Sequence, residues 1–197
     1  MAKRLFDVVA ASVGAIALAP VMLCAAIAVR LTSSGPVFFH QERMGRGFRP
    51  FRIHKFRTMV ADAPARGGEL TAGADPRITP VGRFLRWTKI DELPQLINVI
   101  KGEMSLVGPR PEVRRYVEQY RQDFSELLSV RPGVTGVASI MFRDESRLLA
   151  EADDAEQAYV QHVLPEKIRL EKEYLQRASF CFDQQLIWKT LWTVARG

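Results

Sequence analysis

The fold is decided by the stretch DELPQLINVIKGEMSLVGPRP, from Asp91 to Pro111. Its apolar side chains are spaced as on one buried face of an α-helix: Leu93, Leu96, Ile97 and Ile100. Pro94 is tolerated in the first turn of a helix, where backbone N–H groups lack partners. It therefore predicts Asp91 at or near the N-cap, with Glu92 in the first turn. Gly102 is predicted to end the helix.

The two carboxylates at the head of this helix have a structural and a chemical interpretation. Aspartate is a favoured N-cap, and acids in the first turn complement the helix dipole. The same N–H groups and dipole keep Asp91 ionised, as a nucleophile or a metal ligand must be. With Glu92 beside it, one acid can attack while the other binds Mg²⁺ or a proton. The local pattern leaves both interpretations open.

The other end of the stretch, GPRP from Gly108 to Pro111, favours a binding site. Both prolines fix their own φ, and Pro111 also restricts Arg110. A stiff loop that presents one guanidinium loses little entropy when it binds a phosphate through two hydrogen bonds. A plain turn would not need the arginine, so Arg110 is predicted to bind an anion.

Composition limits the class of protein. The chain has 197 residues, enough for one domain with a sizeable core. Its net charge of +6 favours anionic partners such as nucleic acid, phosphorylated substrates or an anionic membrane surface. Two cysteines, Cys24 and Cys181, cannot form a disulfide framework, and without a CxxC pair a zinc site is not expected. A reducing, cytosol-facing compartment is predicted.

The N-terminal segment gives the strongest signal of organisation. From Val8 to Val29, 22 residues carry no formal charge. A helix of that length reaches about 33 Å, enough to cross a bilayer core. Four interpretations compete: a cleaved signal peptide, a transmembrane helix, a hairpin that enters and leaves one leaflet, and a buried helix of a soluble core.

Two features of this segment favour the hairpin. Lys3, Arg4 and Arg30 place basic residues at both ends, and positive charge prefers the cytoplasmic side. Pro20 lies inside the run and bends or breaks a helix there. Proline kinks also occur in spanning helices, so the residues alone leave the topology open.

The segment from Phe38 to Arg57 is strongly basic, with six Lys or Arg residues and one acid. Gly45, Gly47 and Pro50 disfavour a helix, and the flanking apolar runs predict a β-hairpin. Basic residues interleaved with phenylalanine suit single-stranded nucleic acid, lipid head groups or a diphosphate. A solvated basic hairpin is the alternative. Residues 61–74 are small and Gly-rich and are predicted to form a loop near the site.

Two further segments are predicted to be helical. Glu112 is expected to open an amphipathic helix with a core-facing stripe: Val113, Tyr116, Val117, Tyr120, Phe124, Leu127 and Leu128. The C-terminal residues predict either a helix docked on the core or an interfacial helix. In the second case Trp188 and Trp192 would lie at head-group depth.

Three motifs together resemble a known family. They are KFRTM (Lys55 to Met59), the stretch from Asp91 to Pro111, and RPGVTG (Arg131 to Gly136). In this order the chain resembles the bacterial sugar transferases, which are monotopic polyprenyl-phosphate phosphoglycosyl transferases, over essentially its whole length. The length matches the small members that consist of the catalytic domain alone. Trp87 to Ile90 depart from the family, where Lys-Thr-Ser-Leu is commoner.

The resemblance implies a reaction. An aspartate attacks the sugar-linked phosphate of a UDP-sugar, UMP leaves, and a polyprenyl (undecaprenyl) phosphate then takes the phosphosugar. This is the first membrane step of capsule, exopolysaccharide, O-antigen or glycoprotein glycan synthesis. The nucleophile maps onto Asp91, where Mg²⁺ is expected, the second catalytic acid onto Glu92, and the phosphate clamp onto Arg110. Three more cations are expected to bind anions around the site: Lys55, Arg57 and Arg86.

The resemblance also implies an architecture and partners. It predicts a helix-rich α/β protein whose residues 1–32 form a re-entrant membrane hairpin, broken at Ala19-Pro20. Residues 33–197 are expected to form a catalytic domain with interfacial amphipathic helices, on the cytoplasmic face of the bacterial inner membrane. Expected partners are the UDP-sugar, the polyprenyl phosphate and membrane lipids, not nucleic acid, and a homodimer is also considered.

Two other functions compete with this one. The first is a membrane-attached module that binds anionic lipid or nucleic acid through the basic hairpin. The second is a metal-dependent phosphatase that acts on lipid diphosphates, with water as the acceptor.

Overall fold

The computed structural model describes residues 2–68 and 70–196 and shows a helix-rich α/β protein. Met1, Glu69 and Gly197, which belong to the predicted segments, lie outside the described residues. The helices are α1 (Ala2–Ala17), α2 (Ala19–Thr32), α3 (Ala63–Arg66), α4 (Pro80–Trp87), α5 (Gln95–Lys101), α6 (Arg114–Gln119), α7 (Arg121–Leu127), α8 (Val137–Met141), α9 (Glu145–Ala150), α10 (Ala155–Ala158), α11 (Leu164–Arg177) and α12 (Phe180–Arg196). The strands are β1 (Phe38–Met44), β2 (Pro50–Phe56), β3 (Ser105–Val107) and β4 (Gly133–Thr135).

The N-terminal helices α1 and α2 form a pair bent by 60°. Leu18 lies between them, and the bend comes directly before Ala19 and Pro20. Pro20 lies in the first turn of α2, where its missing N–H interrupts no intrahelical hydrogen bond. The chain therefore bends where the sequence predicts a break, while the role of the bend in a membrane stays a prediction.

Each end of this pair is held by the rest of the chain. In α1, Asp7 is buried and accepts a hydrogen bond of 2.6 Å from the Ser105 hydroxyl, and Lys3 forms an ion pair with Asp183. After α2, the Arg57 guanidinium donates hydrogen bonds to the backbone carbonyls of Ser33 and Ser34. The start and the end of the pair are therefore anchored to the same body of protein.

Much of the apolar surface of the pair is exposed. The large side chains exposed on α1 and α2 include Leu5, Val9, Val13, Ile16, Leu23, Ile27 and Leu31. No single helix in the described part of the chain is long and apolar enough to span a bilayer, whereas the bent pair taken together meets both requirements. Such exposure does not fit a buried helix of a soluble core.

The predicted β-hairpin is confirmed. β1 and β2 pair antiparallel, with Phe38 opposite Phe56 and Met44 opposite Pro50. The Asn98 side chain of α5 accepts from the backbone N–H of His54 and donates to the carbonyl of Arg52. These two bonds fix α5 against β2 and so set the position of everything that α5 carries.

The start of α5 differs from the sequence prediction. Asp91 lies not in α5 but in a separate 3₁₀ turn, Ile90–Glu92, and makes no cap hydrogen bond. In a continuous α-helix the N–H of residue 94 would bond to the Ile90 carbonyl, but Pro94 has none. That carbonyl instead accepts from Leu93, at 3.2 Å, in the tighter turn. Gly102 ends α5 with φ +89°, as predicted.

The loop that contains GPRP is held by a small parallel sheet. Ser105 of β3 pairs with Gly133 of β4. A Cβ on Gly133 would lie 2.2 Å from the backbone nitrogen of Gly108, so only glycine permits this contact. The RPGVTG segment and the GPRP loop are therefore packed backbone against backbone.

The predicted apolar stripe after Glu112 lies in the main hydrophobic core. The prediction of a single helix there is wrong, because the chain breaks at Tyr120 into α6 and α7. The predicted loop of residues 61–74 contains the short helix α3.

Candidate active site

The acidic pair lies where the N-terminal helices meet the rest of the chain. Ile90, directly before Asp91, packs against an apolar cluster formed by Ala25 and Val29 of α2 with Phe56 of β2. Asp91 is only 7% exposed. The 3₁₀ turn is therefore fixed to α2 through Ile90, directly before the two carboxylates.

Glu92 is held by two cations that come from distant parts of the sequence. Its Oε1 accepts from Lys55 Nζ of β2 at 2.8 Å and from Arg110 Nη2 of the GPRP loop at 2.7 Å. Arg110 Nη1 lies 3.4 Å from the other carboxylate oxygen, so the contact involves both arms of the guanidinium. The structure thus brings together four predicted site residues: Lys55, Asp91, Glu92 and Arg110.

The charges in this group keep Glu92 ionised. Burial alone would raise the pKa of Glu92, but the charges of Arg110 and Lys55 hold it well below its ordinary value. In return, the charge of Glu92 raises the pKa of Arg110. Burial lowers the pKa of Lys55, and the charge of Glu92 opposes that shift. Glu92 is therefore suited to orient two cations more than to carry a proton.

Asp91 has the opposite character. Burial, and next the charge of Glu92, raise the pKa of Asp91 to about 6, although Lys55, Lys89 and Arg86 oppose the shift. Its Oδ1 is buried and has no hydrogen-bond partner among the described residues. A carboxylate with an unengaged oxygen can attack an electrophile or bind a cation.

The side chains fit a magnesium ion held mainly by substrate. Among residues 2–68 and 70–196, no group of three or more His, Cys, Asp or Glu side chains converges on a metal-sized site. Magnesium is commonly bound by one or two carboxylates together with waters and substrate phosphates. Asp91 has an oxygen free for this purpose, whereas the oxygens of Glu92 face Lys55 and Arg110.

The other two predicted cations lie differently. Arg86 of α4 donates to the hydroxyls of Thr58 and Thr71, at 2.9 and 3.3 Å, and its charge acts on Asp91. Burial lowers the pKa of Arg86, and the charge of Asp91 opposes this. Arg57 binds the carbonyls after α2 and makes no hydrogen bond to the acidic pair. Their anion-binding roles stay predictions.

A buried polar network behind Arg110 was not predicted from the sequence. Glu112 accepts from Tyr159 Oη at 2.8 Å, Lys167 Nζ at 3.2 Å and Arg43 Nη1 at 3.3 Å. Burial would raise the pKa of Glu112, but the charges of Lys167 and Arg43 lower it to about 2. The partners lie up to 69 positions away in sequence, and no local pattern links them. The only signal is that Glu112 directly follows GPRP.

Comparison with known proteins identifies close relatives. The family model described as bacterial sugar transferase matches residues 1–197. The chain is 37% identical, over 99% of its length, to the UDP-N-acetylgalactosamine-undecaprenyl-phosphate N-acetylgalactosaminephosphotransferase of Aeromonas hydrophila, and covers 44% of that protein. It is also 37% identical, over 96% of its length, to the UDP-glucose:undecaprenyl-phosphate glucose-1-phosphate transferase of Escherichia coli K12, and covers 39% of it.

A third relative is matched over a shorter region. The UDP-glucose:undecaprenyl-phosphate glucose-1-phosphate transferase of Caulobacter vibrioides is 44% identical over 70% of this chain, which covers 53% of that protein. The chain therefore spans about two fifths to about half of the length of these three relatives.

Proposed function

The chain belongs to the bacterial sugar transferase family, and on that basis we propose that it transfers a sugar 1-phosphate from a UDP-sugar to undecaprenyl phosphate. The observation that carries the proposal is Asp91, a buried carboxylate with one unengaged oxygen among cationic side chains. The names of the relatives support the donor and the acceptor class.

In the first half of the proposed reaction, an Asp91 oxygen attacks the phosphorus of the sugar-linked phosphate. The bond from that phosphorus to the oxygen bridging to UMP breaks, and UMP leaves with the electron pair. The product is an aspartyl phosphosugar, an acyl phosphate. Arg110 and Lys55 each keep N–H donors beyond those that Glu92 uses, and these can contact the phosphate oxygens.

In the second half, a phosphate oxygen of undecaprenyl phosphate attacks the same phosphorus. The acyl phosphate bond breaks, which releases the Asp91 carboxylate and undecaprenyl-diphospho-sugar. In the first half, Asp91 and the donor phosphates would hold magnesium, which would reduce the negative charge that opposes attack. Glu92 stays ionised and orients Arg110 and Lys55, because its pKa is held low. This geometry favours orientation over the proton transfer that the sequence also allowed for Glu92.

The N-terminal helix pair and the exposed aromatic side chains support a placement at the inner membrane. We propose that α1 and α2 enter and leave one leaflet, because both ends of the pair are anchored to one body of protein. Exposed aromatic side chains on α4 and α12 suit an interface with lipid: Phe84, Trp87, Trp188 and Trp192. Because Ile90 ties the turn that carries the acidic pair to α2, the pair would then be within reach of a lipid acceptor.

The test is UMP release from a panel of UDP-sugars with magnesium, with and without undecaprenyl phosphate. Wild type should give a stoichiometric burst of UMP without lipid and turnover with it, for at least one sugar. Asp91→Asn should give neither, while the control Asp153→Asn, at an exposed carboxylate, should behave as wild type. Equal UMP release by Asp91→Asn would rule out Asp91 as the nucleophile. Free sugar phosphate as the product would indicate a phosphatase.

A further inference from the structure

Lys89 has an unusual backbone conformation directly ahead of the acidic pair. Its φ is +57°, and among the described residues Phe48 is the only other non-glycine residue with a positive φ. A lysine in this left-handed region is sterically unfavourable, since glycine and asparagine tolerate it better. Its N–H donates to the Arg86 carbonyl and its own carbonyl accepts from Glu92 N–H, both at 3.2 Å. The conformation therefore connects α4 to the 3₁₀ turn that carries Asp91.

The Lys89 side chain is not used by the fold. It is half-buried, and it makes no hydrogen bond or ion pair with any residue that the structure describes. Its charge nevertheless acts on both Asp91 and Glu92, where it favours the ionised forms. Lys55, by contrast, is committed to Glu92 at 2.8 Å. Lys89 is thus an uncommitted cation at the site.

In sequence, Lys89 lies between the acidic pair and two exposed aromatic side chains of α4. Two and five residues before it, Trp87 and Phe84 are 61% and 55% exposed, and their ring centroids are 6.3 Å apart. One residue after it, Ile90 packs against α2. The UDP-sugar is water-soluble and needs no apolar surface. A lipid phosphate combines an anionic head with an apolar chain, and so matches a cation placed at this boundary.

We propose that Lys89 binds the phosphate of the lipid acceptor in the second half of the reaction. The inference rests on the proposed function and adds to it a residue for one substrate. Attack by the lipid phosphate brings two anionic phosphates together. An ammonium group with three free donors lowers that repulsion and holds the attacking oxygen near the phosphorus. This chain has lysine at position 89, where serine is commoner in the family. The proposal therefore predicts that this lysine strengthens acceptor binding.

The experiment compares two variants that separate charge from backbone strain. Asn tolerates the left-handed conformation, so Lys89→Asn should fold with an unchanged or higher melting temperature while it removes the charge. Lys89→Arg keeps the charge and should restore function. Lys101→Asn removes an exposed lysine at the other end of α5 and is the matched control.

Two rates are measured at pH 8, where Asp91 is ionised: the UMP burst without lipid, and turnover against undecaprenyl phosphate concentration. For Lys89→Asn we expect the KM for undecaprenyl phosphate to rise about 10-fold to 100-fold, as for loss of a hydrogen bond to a charged group. The burst should change by less than about threefold, a bound set by the weaker, partly screened action of Lys89 on Asp91. Lys89→Arg and Lys101→Asn should stay near wild type.

Two results would overturn the inference. A burst slowed as much as turnover would assign Lys89 to the donor diphosphate. An unchanged dependence on undecaprenyl phosphate would make Lys89 a surface cation without a role. Failure of the proposed function is distinguishable from both, because wild type itself would then release no UMP from any UDP-sugar.

Discussion

At the scale of single residues, the site depends on a carboxylate kept in unfavourable surroundings. Asp91 is buried beside another acid, and its pKa rises to about 6. Glu92, its neighbour in sequence, forms ion pairs with Lys55 and Arg110, whereas Asp91 forms none with the residues that the structure describes. The sequence predicts both acids as candidate site residues. It cannot predict that Lys55 and Arg110 both pair with Glu92, because only the fold brings these distant residues together.

Asp91→Asn should stabilise the folded protein at neutral pH. Folding raises the pKa of Asp91 from 3.8 to about 6, so the folded state holds this proton more tightly. Its stabilising contribution is present below pH 3.8 and is lost as the pH rises through 6. At pH 7.5 the ionised group then costs at most about 3 kcal/mol. Thermal unfolding in magnesium-free buffer should show a higher midpoint for the variant, by several degrees. A lower midpoint would contradict the buried, poorly paired state of this carboxylate.

The same pKa predicts the pH dependence of the first half reaction. Asp91 must be ionised to attack, so at UDP-sugar concentrations well below saturation, where the rate reports the free enzyme, the UMP burst should slow tenfold per pH unit below about pH 6. Above pH 7 it should be level. Stopped-flow or quenched-flow UMP release between pH 5 and 8 measures this directly. A burst that is constant down to pH 5 would mean that Asp91 is not the group that titrates.

At the scale of elements, local patterns predict most helices and strands, and tertiary contacts decide their ends. The β-hairpin and the end of α5 at Gly102 follow from glycine and proline positions. The 3₁₀ turn at Asp91 follows from the missing N–H of Pro94 and was not predicted. The break at Tyr120 carries no glycine or proline signal, and only the packed structure shows it.

The contact between α11 and the GPRP loop gives a prediction at this scale. Lys167→Met removes one of the two cations that pair with Glu112 and leaves this buried carboxylate with Arg43 as its charged partner, so it should cost about 2–3 kcal/mol. On the same helix, Lys172→Met breaks two more exposed ion pairs, with Asp123 and Glu126, and should cost less than about 1 kcal/mol. Urea unfolding of both variants provides the comparison.

A double variant checks the cause of that loss. Adding Glu112→Gln to Lys167→Met should recover part of the stability, because it removes the negative charge of Glu112 that Lys167 no longer balances. Equal losses for Lys167→Met and Lys172→Met would show that the buried network does not hold the GPRP loop.

The bent pair α1–α2 gives a second prediction for an element. With Cys24 and Cys181 replaced by serine, single cysteines at Ala2 and Ser34, both exposed, report on the two ends. Both should react with an impermeant maleimide in inside-out inner-membrane vesicles and be protected in intact spheroplasts. This is expected because both ends are tied to one body of protein. Opposite labelling of the two positions would show a spanning segment.

At the scale of the whole molecule, four helices that expose large apolar side chains contact one another in pairs: α1 with α12, and α2 with α4. Phe6 of α1 contacts Phe180 of α12, with ring centroids 5.2 Å apart, and α2 packs against α4 near Leu85. The sequence favoured a hairpin from charge and Pro20 alone. It could not show that Asp7 and Arg57 tie the two ends down, because those contacts join residues 98 and 24 positions apart.

The central claim is that the phosphosugar passes through Asp91, and intact-protein mass spectrometry tests it most directly. The protein is incubated with magnesium and the UDP-sugar that gives a UMP burst, without lipid. Wild type should gain the mass of one phosphosugar, located on the peptide that contains Asp91, and lose it when undecaprenyl phosphate is added. Asp91→Asn should gain nothing. Product formed only when lipid and donor are present together, with no adduct on wild type at any time, would contradict the account and indicate direct transfer between the substrates.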